Sequence, residues 1–565
     1  MAENQTASPA DHAKLVTGVT KPGSDAILNV DEAIGGGEEA VGGGAGQWGF
    51  PRPKGQSLSY WLQQVRCDKL ISHRTTEQLP ETADTVIIGS GITGTLVAKY
   101  HKETWPDKSV VVLEARDFCS GATGRNAGHC KPDQWRGFGK YEKQFGAEQA
   151  MKILQNEQDT WEALVAYIRE KNVDCDLWVG DTLDVPLDPE TAALARDVFD
   201  RYRAAGGKVD HIKVTADPAE ARRITRLADA QACYAWPAAT LQPRKLVAHV
   251  MGVNLAAGVN LQTFTPVRRV SPYDDDTKQN DTEKGNGEET KKYRWAVHTD
   301  RGAIACVDVV HASNAYLPAY EPSLRGLIRP KPHMCNKVIP PLKFAGSGAL
   351  RNSYGVLLRD GSLFSINPRY GADGVVMVGG SNPGQLKLDA WVAAQPAADR
   401  RCVDDGLSFS SAGNGSGDSE GTAAARLVTD EVRQFAEAQF DGWRESAGDD
   451  GLGPGAGYEY SWSGIIGVAA DGVPFVGEMP GKQRAGQWVC AGHCGHGMAR
   501  IFTAAPGLVK LMTGEGWGST GLPDVYQLTQ QRLDGLRDQA SRDGGWTSRD
   551  GQNGNSGVWL ESRPV

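Results

Sequence analysis

Short runs of β-branched residues alternate with longer amphipathic segments along the chain. Residues 86–88 and 109–113 are almost wholly apolar, and runs of this length and composition are typical of buried parallel strands. Residues 141–171 instead carry apolar side chains at helical spacing, which predicts a long helix packed on a core. The apolar positions of this helix are Ala150, Ile153, Leu154, Trp161, Leu164, Val165 and Ile168.

The same patterns predict the elements that follow. Residues 329–341 and 353–377 alternate apolar and polar positions, as expected of a large sheet that roofs an active site. Two polar stretches predict insertions: residues 274–292 a solvated hairpin, and residues 404–421 a flexible segment without chemistry. Further helices are expected over residues 189–204 and 218–227, and further strands over residues 294–299 and 304–311.

A glycine-rich turn joins the first predicted strand to a helix that begins at Ile92. Gly89, Gly91 and Gly94 have the spacing of a turn in which backbone amides approach a pyrophosphate at the amino end of a helix. The second strand ends in Glu114, whose carboxylate can accept hydrogen bonds from both hydroxyls of an adenosine ribose and disfavours a 2′-phosphate. Strand, glycines, helix, strand and acid follow in the required order, so the chain is predicted to bind a dinucleotide.

A second stretch of small residues follows the acid. Residues 117–129 have the sequence Asp-Phe-Cys-Ser-Gly-Ala-Thr-Gly-Arg-Asn-Ala-Gly-His. A nicotinamide enzyme needs no second glycine-rich loop here, whereas flavoproteins of the glutathione-reductase-like type run the chain back along the cofactor, so FAD is favoured. Arg125 and Asn126 can donate to phosphate or ring oxygens. The alternative is an ordinary solvated glycine loop.

With these motifs the chain resembles the FAD-dependent oxidoreductases of the D-amino acid oxidase and sarcosine oxidase superfamily. Residues 123–128, Thr-Gly-Arg-Asn-Ala-Gly, are most similar to its γ-glutamylputrescine oxidoreductase-like branch. Two later segments support the resemblance: residues 462–477, which contain an Asp-Gly turn, and residues 491–498, Ala-Gly-His-Cys-Gly-His-Gly-Met. The resemblance spans about residues 84–513.

The resemblance implies a fold and a cofactor site. The fold is α/β, α+β overall, with a glutathione-reductase-like Rossmann FAD domain and a second, mostly antiparallel substrate sheet. In the family, the late Gly-His-Gly-Met element begins a helix under the flavin pyrimidine ring, and the backbone of a valine, here Val267, contacts adenine. The residues expected to bind FAD are Gly89, Gly91, Ile92, Thr93, Gly94, Glu114, Ala115, Arg116, Ser120, Gly121, Thr123, Gly124, Arg125, Asn126, Ala127, Gly128, Val267, Ala312, Ser313, Asn314, Gly464, Gly495, His496, Gly497 and Met498.

The family chemistry implies oxidation of a small amine or amino acid. Hydride passes from the substrate α-carbon to flavin N5, the imine hydrolyses to a carbonyl compound, and dioxygen is reduced to hydrogen peroxide. His129, directly after the second glycine loop, is a candidate for orienting or deprotonating the amine, and a core or surface histidine is the alternative. His496 and Arg500 are the other catalytic candidates.

Two departures from the relatives change what is expected. Sarcosine oxidases have a lysine that helps hold a substrate carboxylate, and this chain has Ala499 there, followed by Arg500. A simple amino acid is therefore a substrate only if Arg500, or a roof arginine such as Arg369, takes over that role. The relatives also tether FAD through a cysteine shortly before the Asp-Gly turn, and residues 462–477 contain none, so non-covalent FAD is expected.

Cys490, His493, Cys494 and His496 also resemble a set of metal ligands. Four such residues within seven positions cannot readily surround one ion. The glycines between them suit a chain that passes flush against a planar ring, so no metal is expected.

The composition is that of a globular enzyme, with 40% hydrophobic and 23% charged residues among 565. The net charge of −9 argues against nucleic acid as a partner, and no apolar run is long enough for a membrane span. Ten cysteines without a Cys-x-x-Cys pair indicate reduced thiols and hence a cytoplasmic protein. The expected partners are a small-molecule amine and dioxygen.

Composition and resemblance together predict the domain organisation. Residues 1–55 are expected to form a flexible arm that residues 56–83 anchor, and residues 521–565 a tail. The expected FAD-binding domain comprises residues 84–150, 240–318 and 456–520, and the expected substrate domain residues 151–239 and 319–455.

Three functions remain open on this basis. The first is an oxidase that produces peroxide, and the second is an FAD dehydrogenase that passes its electrons to another acceptor. The third is a flavoprotein with a binding or ring-forming biosynthetic role.

Overall fold

The computed structural model describes residues 49–273, 293–394, 403–410, 420–443 and 459–542. The predicted insertion at residues 274–292, most of the predicted arm and the end of the predicted tail lie outside these ranges. Within them, no helix combines the length and the apolar character needed to cross a membrane.

Helices form where the apolar periodicity predicts them. The long predicted helix is present as Phe138–Glu170, with a kink at Gly146, and its apolar stripe is buried except for the half-buried Trp161. Three helices begin with a proline after a polar residue whose side chain accepts a hydrogen bond from the first turn, an arrangement that favours a helix start. Besides the long helix, the α-helices of the described residues are Tyr60–Gln63, Ile92–Thr104, Pro189–Ala204, Pro218–Thr225, Pro243–Ala256, Leu317–Tyr320, Pro383–Ala394, Glu420–Gln439, Ile501–Met512 and Gln530–Arg542.

The strands of the described residues form two sheets. In chain order they are β1 (Thr82–Ile88), β2 (Val110–Leu113), β3 (His129–Cys130), β4 (Trp178–Pro186), β5 (Lys213–Thr215), β6 (Cys233–Thr240), β7 (Asn260–Gln262), β8 (Val267–Pro272), β9 (Trp295–Thr299), β10 (Gly302–His311), β11 (Ile328–Val338), β12 (Ser353–Leu357), β13 (Leu363–Asn367), β14 (Val376–Gly379), β15 (Ser408–Ser410), β16 (Glu459–Ala469), β17 (Phe475–Glu478) and β18 (Gln487–Ala491).

The first sheet has the strand order β17-β18-β10-β1-β2-β7, and β9 and β8 continue from β10. β1 pairs in parallel with both β10 and β2, and β2 pairs in parallel with β7. Ile88 lies opposite both His311 and Leu113, so the carboxyl ends of three strands meet at one edge. In an open parallel sheet, this edge is where a dinucleotide binds.

The second sheet has the order β15-β16-β11-β14-β13-β12-β4-β6-β3, and β5 pairs with β6. Its pairs are antiparallel except for β12 with β4. A Rossmann-type sheet with helices, joined to a second and mostly antiparallel sheet, confirms the predicted fold class.

Two segments lie elsewhere than the predicted domain organisation implies. β16 belongs to the second sheet, although its residues are grouped with the FAD-binding segments in the predicted bounds. The first part of the predicted tail is not peripheral, because Tyr526 is fully buried and Arg532 pairs with Asp471 at 2.8 Å. The domain bounds themselves stay a prediction.

Candidate functional site

The predicted dinucleotide turn lies at the carboxyl end of β1. Gly89 has φ of 112°, and a Cβ there would lie 2.8 Å from the carbonyl oxygen of Ala312, so glycine is required. A Cβ on Gly94 would overlap the carbonyl oxygen of Gly89, so Gly94 allows helix Ile92–Thr104 to pack closely on β1. No side chain caps this helix at Gly91, and its positive dipole end lies at the wall of a cleft.

Glu114 stands directly after β2, at the same edge of the sheet. Its Oε2 accepts hydrogen bonds from the amide (3.1 Å) and the hydroxyl (2.7 Å) of Ser90. Its Oε1 accepts a hydrogen bond from the amide of Arg116 at 3.0 Å. These bonds fix the carboxylate in the cleft wall, at the position where the motif binds ribose hydroxyls.

The second glycine loop turns back beside the first. The hydroxyl oxygen of Thr123 accepts a hydrogen bond from the amide of Ile92 at 3.1 Å, which joins the two loops directly. The side-chain oxygen of Asn126 accepts one from the amide of Gly128 at 2.8 Å. Gly128 has φ of 79°, so this turn also needs glycine.

Arg125 makes contacts that the sequence did not predict. Its guanidinium is buried and donates to the carbonyl oxygens of Ser120 (2.6 Å), Ser57 (2.7 Å) and Ser463 (3.1 Å). These bonds use Nε and Nη1, and because Arg125 also lines the cleft, its contact with the cofactor stays a prediction. Arg125 therefore ties three remote segments together around the cleft.

The late glycine element meets the same cleft. The side-chain oxygen of Asn314 accepts hydrogen bonds from the amides of Gly492 (2.9 Å) and His493 (3.3 Å). The chain then passes through the short turn Gly497–Ala499 and enters helix Ile501–Met512. Three segments far apart in sequence are thus brought to one place.

A single cleft of about 430 Å³ runs along these segments. Gly94, Ser120, Gly124 and Gly128 are the predicted cofactor residues that do not line it, because they lie behind the turns and shape them. The predicted cofactor residues that line it are Gly89, Gly91, Ile92, Thr93, Glu114, Ala115, Arg116, Gly121, Thr123, Arg125, Asn126, Ala127, Val267, Ala312, Ser313, Asn314, Gly464, Gly495, His496, Gly497 and Met498.

The second sheet supplies the remaining wall of the cleft. His129 on β3 lines it, and its Nδ1 lies 3.2 Å from the hydroxyl oxygen of Ser365 on β13. Burial and the nearby Lys131 ammonium lower the pKa of His129 to about 3. The imidazole is therefore neutral at physiological pH.

A compact group of charges lies in this wall, which the sequence analysis missed. Lys131 and Arg136 both line the cleft. Lys131 Nζ lies 2.6 Å from Asp184 Oδ1, and a terminal nitrogen of Arg136 lies 3.6 Å from the same oxygen. Burial lowers the pKa of Lys131, an effect that Asp184 opposes. A Cβ on Gly355, also in the lining, would overlap the Asp184 carboxylate, so glycine lets β12 lie directly against the charges.

His496 lines the cleft in front of a buried carboxylate. Its Nδ1 lies 3.5 Å from Glu157 Oε1, on the long helix. Glu157 also accepts hydrogen bonds from Arg500 Nε (3.0 Å) and from the amide of Asp133 (2.8 Å). Burial alone raises the pKa of Glu157, but the protonated form of His496 and the Arg500 guanidinium outweigh it and lower the pKa to about 2. The available sequence signal was a glutamate within the apolar stripe of this helix.

Neither arginine considered for a substrate carboxylate lines the cleft. Arg500 is fully buried and, besides Glu157, donates to the hydroxyl of Tyr141 at 2.7 Å. Arg369 is 4% exposed and pairs with Asp373 (2.8 Å) and Asp176 (3.1 Å). Both guanidinium groups lie outside the cleft lining, away from the space that a substrate can enter.

The Cys and His residues of the late element make local contacts. Cys490 Sγ lies 3.9 Å from His493 Nε2. The Cys494 thiol donates to the carbonyl oxygen of Gly492 at 3.1 Å and accepts from the amide of Ala469 at 3.2 Å. Among the described residues, no three His, Cys, Asp or Glu side chains are grouped so that they could hold a metal ion.

The first residues of the predicted insertion at residues 404–421 contact the site. Asp404 and Asp405 are buried, so the prediction that a flexible insertion begins at residue 404 is wrong for them. Asp405 Oδ2 lies 2.6 Å from a terminal nitrogen of Arg116, and both side chains are almost fully buried. Residues 411–419 lie outside the described part of the chain.

The glycine turn, the fixed Glu114 and the helix end along one cleft fit a bound dinucleotide, and the second loop beside them fits a flavin cofactor. The fold and the site thus define a flavin-dependent oxidoreductase. Residues 84–513 match the family model described as "DAO: FAD dependent oxidoreductase", so the chain belongs to this family. The chain matches no curated protein.

Solved structures of similar fold share little sequence with this chain. Glycine oxidase from Geobacillus kaustophilus is 19% identical, with a TM-score of 0.54 over 80% of this chain and 99% of its own. L-amino acid deaminase from Proteus vulgaris is 16% identical, with a TM-score of 0.53 over 81% and 100%. Iminodiacetate oxidase from Chelativorans sp. BNC1 is 16% identical, with a TM-score of 0.51 over 76% and 96%. At such identities the likeness shows the fold alone.

Proposed function

We propose that this FAD-dependent oxidoreductase oxidises the C–N bond of a small amine or amino acid, giving an imine and, with dioxygen, hydrogen peroxide. The observation that supports this most is the shared cleft, in which the cofactor loops of the first sheet adjoin a polar wall of the second. A small substrate bound against that wall lies next to the cofactor.

FAD supplies the oxidising power: when bound, it accepts a hydride from the substrate carbon and passes the electrons to dioxygen. Much of the protein's contribution is positioning, which can lower a barrier by about 7 to 11 kcal/mol. Water then hydrolyses the released imine to a carbonyl compound.

His496 is the residue we assign to take the proton from the substrate ammonium. The amine has to be neutral when the carbon–hydrogen bond breaks, because its lone pair forms the imine. The Glu157 carboxylate, 3.5 Å from His496 Nδ1, stabilises the imidazolium that results. His129, with a pKa of about 3, is a weak base, so we assign it the orientation of the amine by hydrogen bonding.

Lys131 and Arg136 are the residues we assign to an anionic end of the substrate. They are the buried cations of the second sheet's wall that line the cleft, and their partner Asp184 keeps them in place. They take the role that the sequence analysis gave to Arg500 or Arg369.

We place the chain in the γ-glutamylputrescine oxidoreductase-like branch on the motif of residues 123–128. We also propose that FAD is bound non-covalently. Cys335 lines the cleft, but burial raises the pKa of its thiol, which keeps it protonated and weakly nucleophilic.

Anaerobic mixing of the FAD-loaded protein with amines, polyamines and amino acids tests the proposal. At least one substrate should bleach the visible flavin absorbance, and air should restore it with formation of one peroxide per cycle. Free FAD with the same compounds is the control. Bleaching that air does not reverse would replace the oxidase by a dehydrogenase, and a flavin that no compound bleaches would overturn the proposed oxidation.

A further inference from the structure

A segment before the family-matching region forms part of the cofactor cleft. Residues 49–59, here called the N-terminal strap, precede the match at residues 84–513. Phe50, Pro51 and Pro53 of the strap line the cleft. The half-buried ring of Phe50 lies under the guanidinium of Arg268, whose central carbon is 5.6 Å from the ring centre.

The neighbours of Phe50 indicate which part of the cofactor it meets. Arg268 follows Val267, where β8 begins, and both residues line the cleft. Glu114, whose carboxylate is expected to bind the hydroxyls of the adenosine ribose, lines the same cleft. The moiety beyond that ribose is the adenine ring, a flat aromatic surface that stacks well on an aromatic side chain.

The strap is tied down at several points. The amide and the hydroxyl of Ser57 both donate to the carbonyl oxygen of Asp405 at 2.7 Å. Arg52 forms an ion pair with Asp404, and the hydroxyl of Tyr460 donates to the carbonyl oxygen of Leu58 at 2.6 Å. The strap is therefore held by the predicted insertion and by the second sheet.

The segment that holds the strap is also connected to Glu114, the carboxylate expected to bind the adenosine ribose. Asp405 pairs with Arg116 at 2.6 Å, and the amide of Arg116 donates to Glu114 at 3.0 Å. A Cβ on Gly406 would lie 2.6 Å from the carbonyl oxygen of Gly55, so the strap and the insertion are closely packed. Strap, insertion and ribose site form one connected unit.

We propose that the N-terminal strap is part of the FAD site and that Phe50 is its adenine-stacking residue. The proposal rests on the FAD dependence of the family and requires no particular substrate. It gives a binding role to residues 49–59, which the sequence analysis divided between a flexible arm and its anchor.

Titration of the full-length apoprotein with FAD, followed by flavin fluorescence, tests this role without turnover. Phe50→Ala should raise the Kd for FAD by about tenfold, a loss of about 1.4 kcal/mol, because stacking of a base on an aromatic side chain is removed. Leu58→Ala is the matched control, because this exposed strap side chain does not line the cleft. Its Kd should equal that of the wild type.

Two further variants distinguish stacking on the aromatic ring from the effect of apolar bulk and from a general loss of folded protein. Phe50→Tyr keeps the aromatic face and should restore the Kd to within about twofold of the wild type, whereas Phe50→Leu keeps apolar bulk and should behave like Phe50→Ala. A wild-type Kd for Phe50→Ala or for Phe50→Leu would overturn the proposal. So would a Phe50→Tyr protein as weak as Phe50→Ala. None of these outcomes bears on whether an amine is oxidised.

Discussion

At the scale of single residues, the site depends on charges held out of water. Glu157 and Arg500 are both fully buried and paired at 3.0 Å. Lys131, whose side chain is 10% exposed, and the fully buried Asp184 form a second pair in the cleft wall. Charges of this kind are stable only together, because an ion left alone in the interior keeps its desolvation cost.

Replacing Glu157 by Gln leaves the Arg500 guanidinium buried without its carboxylate. The free energy of unfolding should fall by about 3–5 kcal/mol, the usual cost of breaking a buried pair from one side, as measured by guanidinium denaturation at neutral pH. Glu170→Gln, on the exposed end of the same helix, is the control and should leave stability unchanged. Equal losses in the two variants would contradict the structural role given to the pair.

The same carboxylate makes stability depend on acid. The pKa of Glu157 is about 2 in the folded protein, below the value of about 4.3 expected in an unfolded chain. Its contribution is therefore complete above about pH 4.3 and is lost as the pH falls towards 2. The difference in melting temperature between wild type and Glu157→Gln should shrink between pH 5 and pH 3; a constant difference would argue against an ionised Glu157.

Lys131→Met tests the proposed anionic end of the substrate. Loss of a charged hydrogen bond costs about 1.5–3 kcal/mol, so KM for amines that carry a carboxylate should rise by about 10- to 100-fold, while KM for simple amines stays the same. Lys213→Met, which removes a surface partner of Asp181, is the control. A similar rise for both kinds of amine would show that Lys131 acts through structure alone.

At the scale of elements, the glycine turn sets how closely helix Ile92–Thr104 approaches β1. Gly94→Ala would place a methyl group on the carbonyl oxygen of Gly89, and overpacking of this kind costs about 1–3 kcal/mol. FAD binding, measured by titration, should weaken by about 10- to 100-fold. The control is Gly252→Ala in helix Pro243–Ala256, where nothing lies within 4 Å of the added methyl; wild-type affinity in Gly94→Ala would refute the expected clash.

The elements also show which features a sequence can predict. Gly89, Gly94 and Glu114 were predictable because their constraint is local, set by one turn and two adjacent strands. Helix Pro189–Ala204 was predicted with the bounds that it has, since its proline and its cap lie in the same few residues. The start and end of such a helix are determined by residues that are adjacent in the sequence.

The residues missed by sequence analysis depend on remote partners. Glu157 was not singled out, because His496 and Arg500 lie more than 300 positions further on. Asp405 fell within a polar stretch, and only the fold brings it against Arg116. The carbonyl partners of Arg125 at Ser57 and Ser463 are equally remote, so the sequence suggested only its expected donation to phosphate or ring oxygens.

At the scale of the whole molecule, the protein should release its flavin when it unfolds. Cys335 is the cysteine in the cleft lining, and its raised thiol pKa disfavours attack on the cofactor. Acid precipitation should leave all yellow colour in the supernatant, for wild type and for Cys335→Ser alike. Colour that stays with the wild-type pellet and disappears from that of Cys335→Ser would identify a covalent link.

The lining of the cleft begins at Phe50 and ends at Ile501. During translation, most of the chain has therefore been synthesised before the last wall of the cleft can fold. A complete FAD site is therefore expected only late in synthesis, once the segment that contains Ile501 is available to fold.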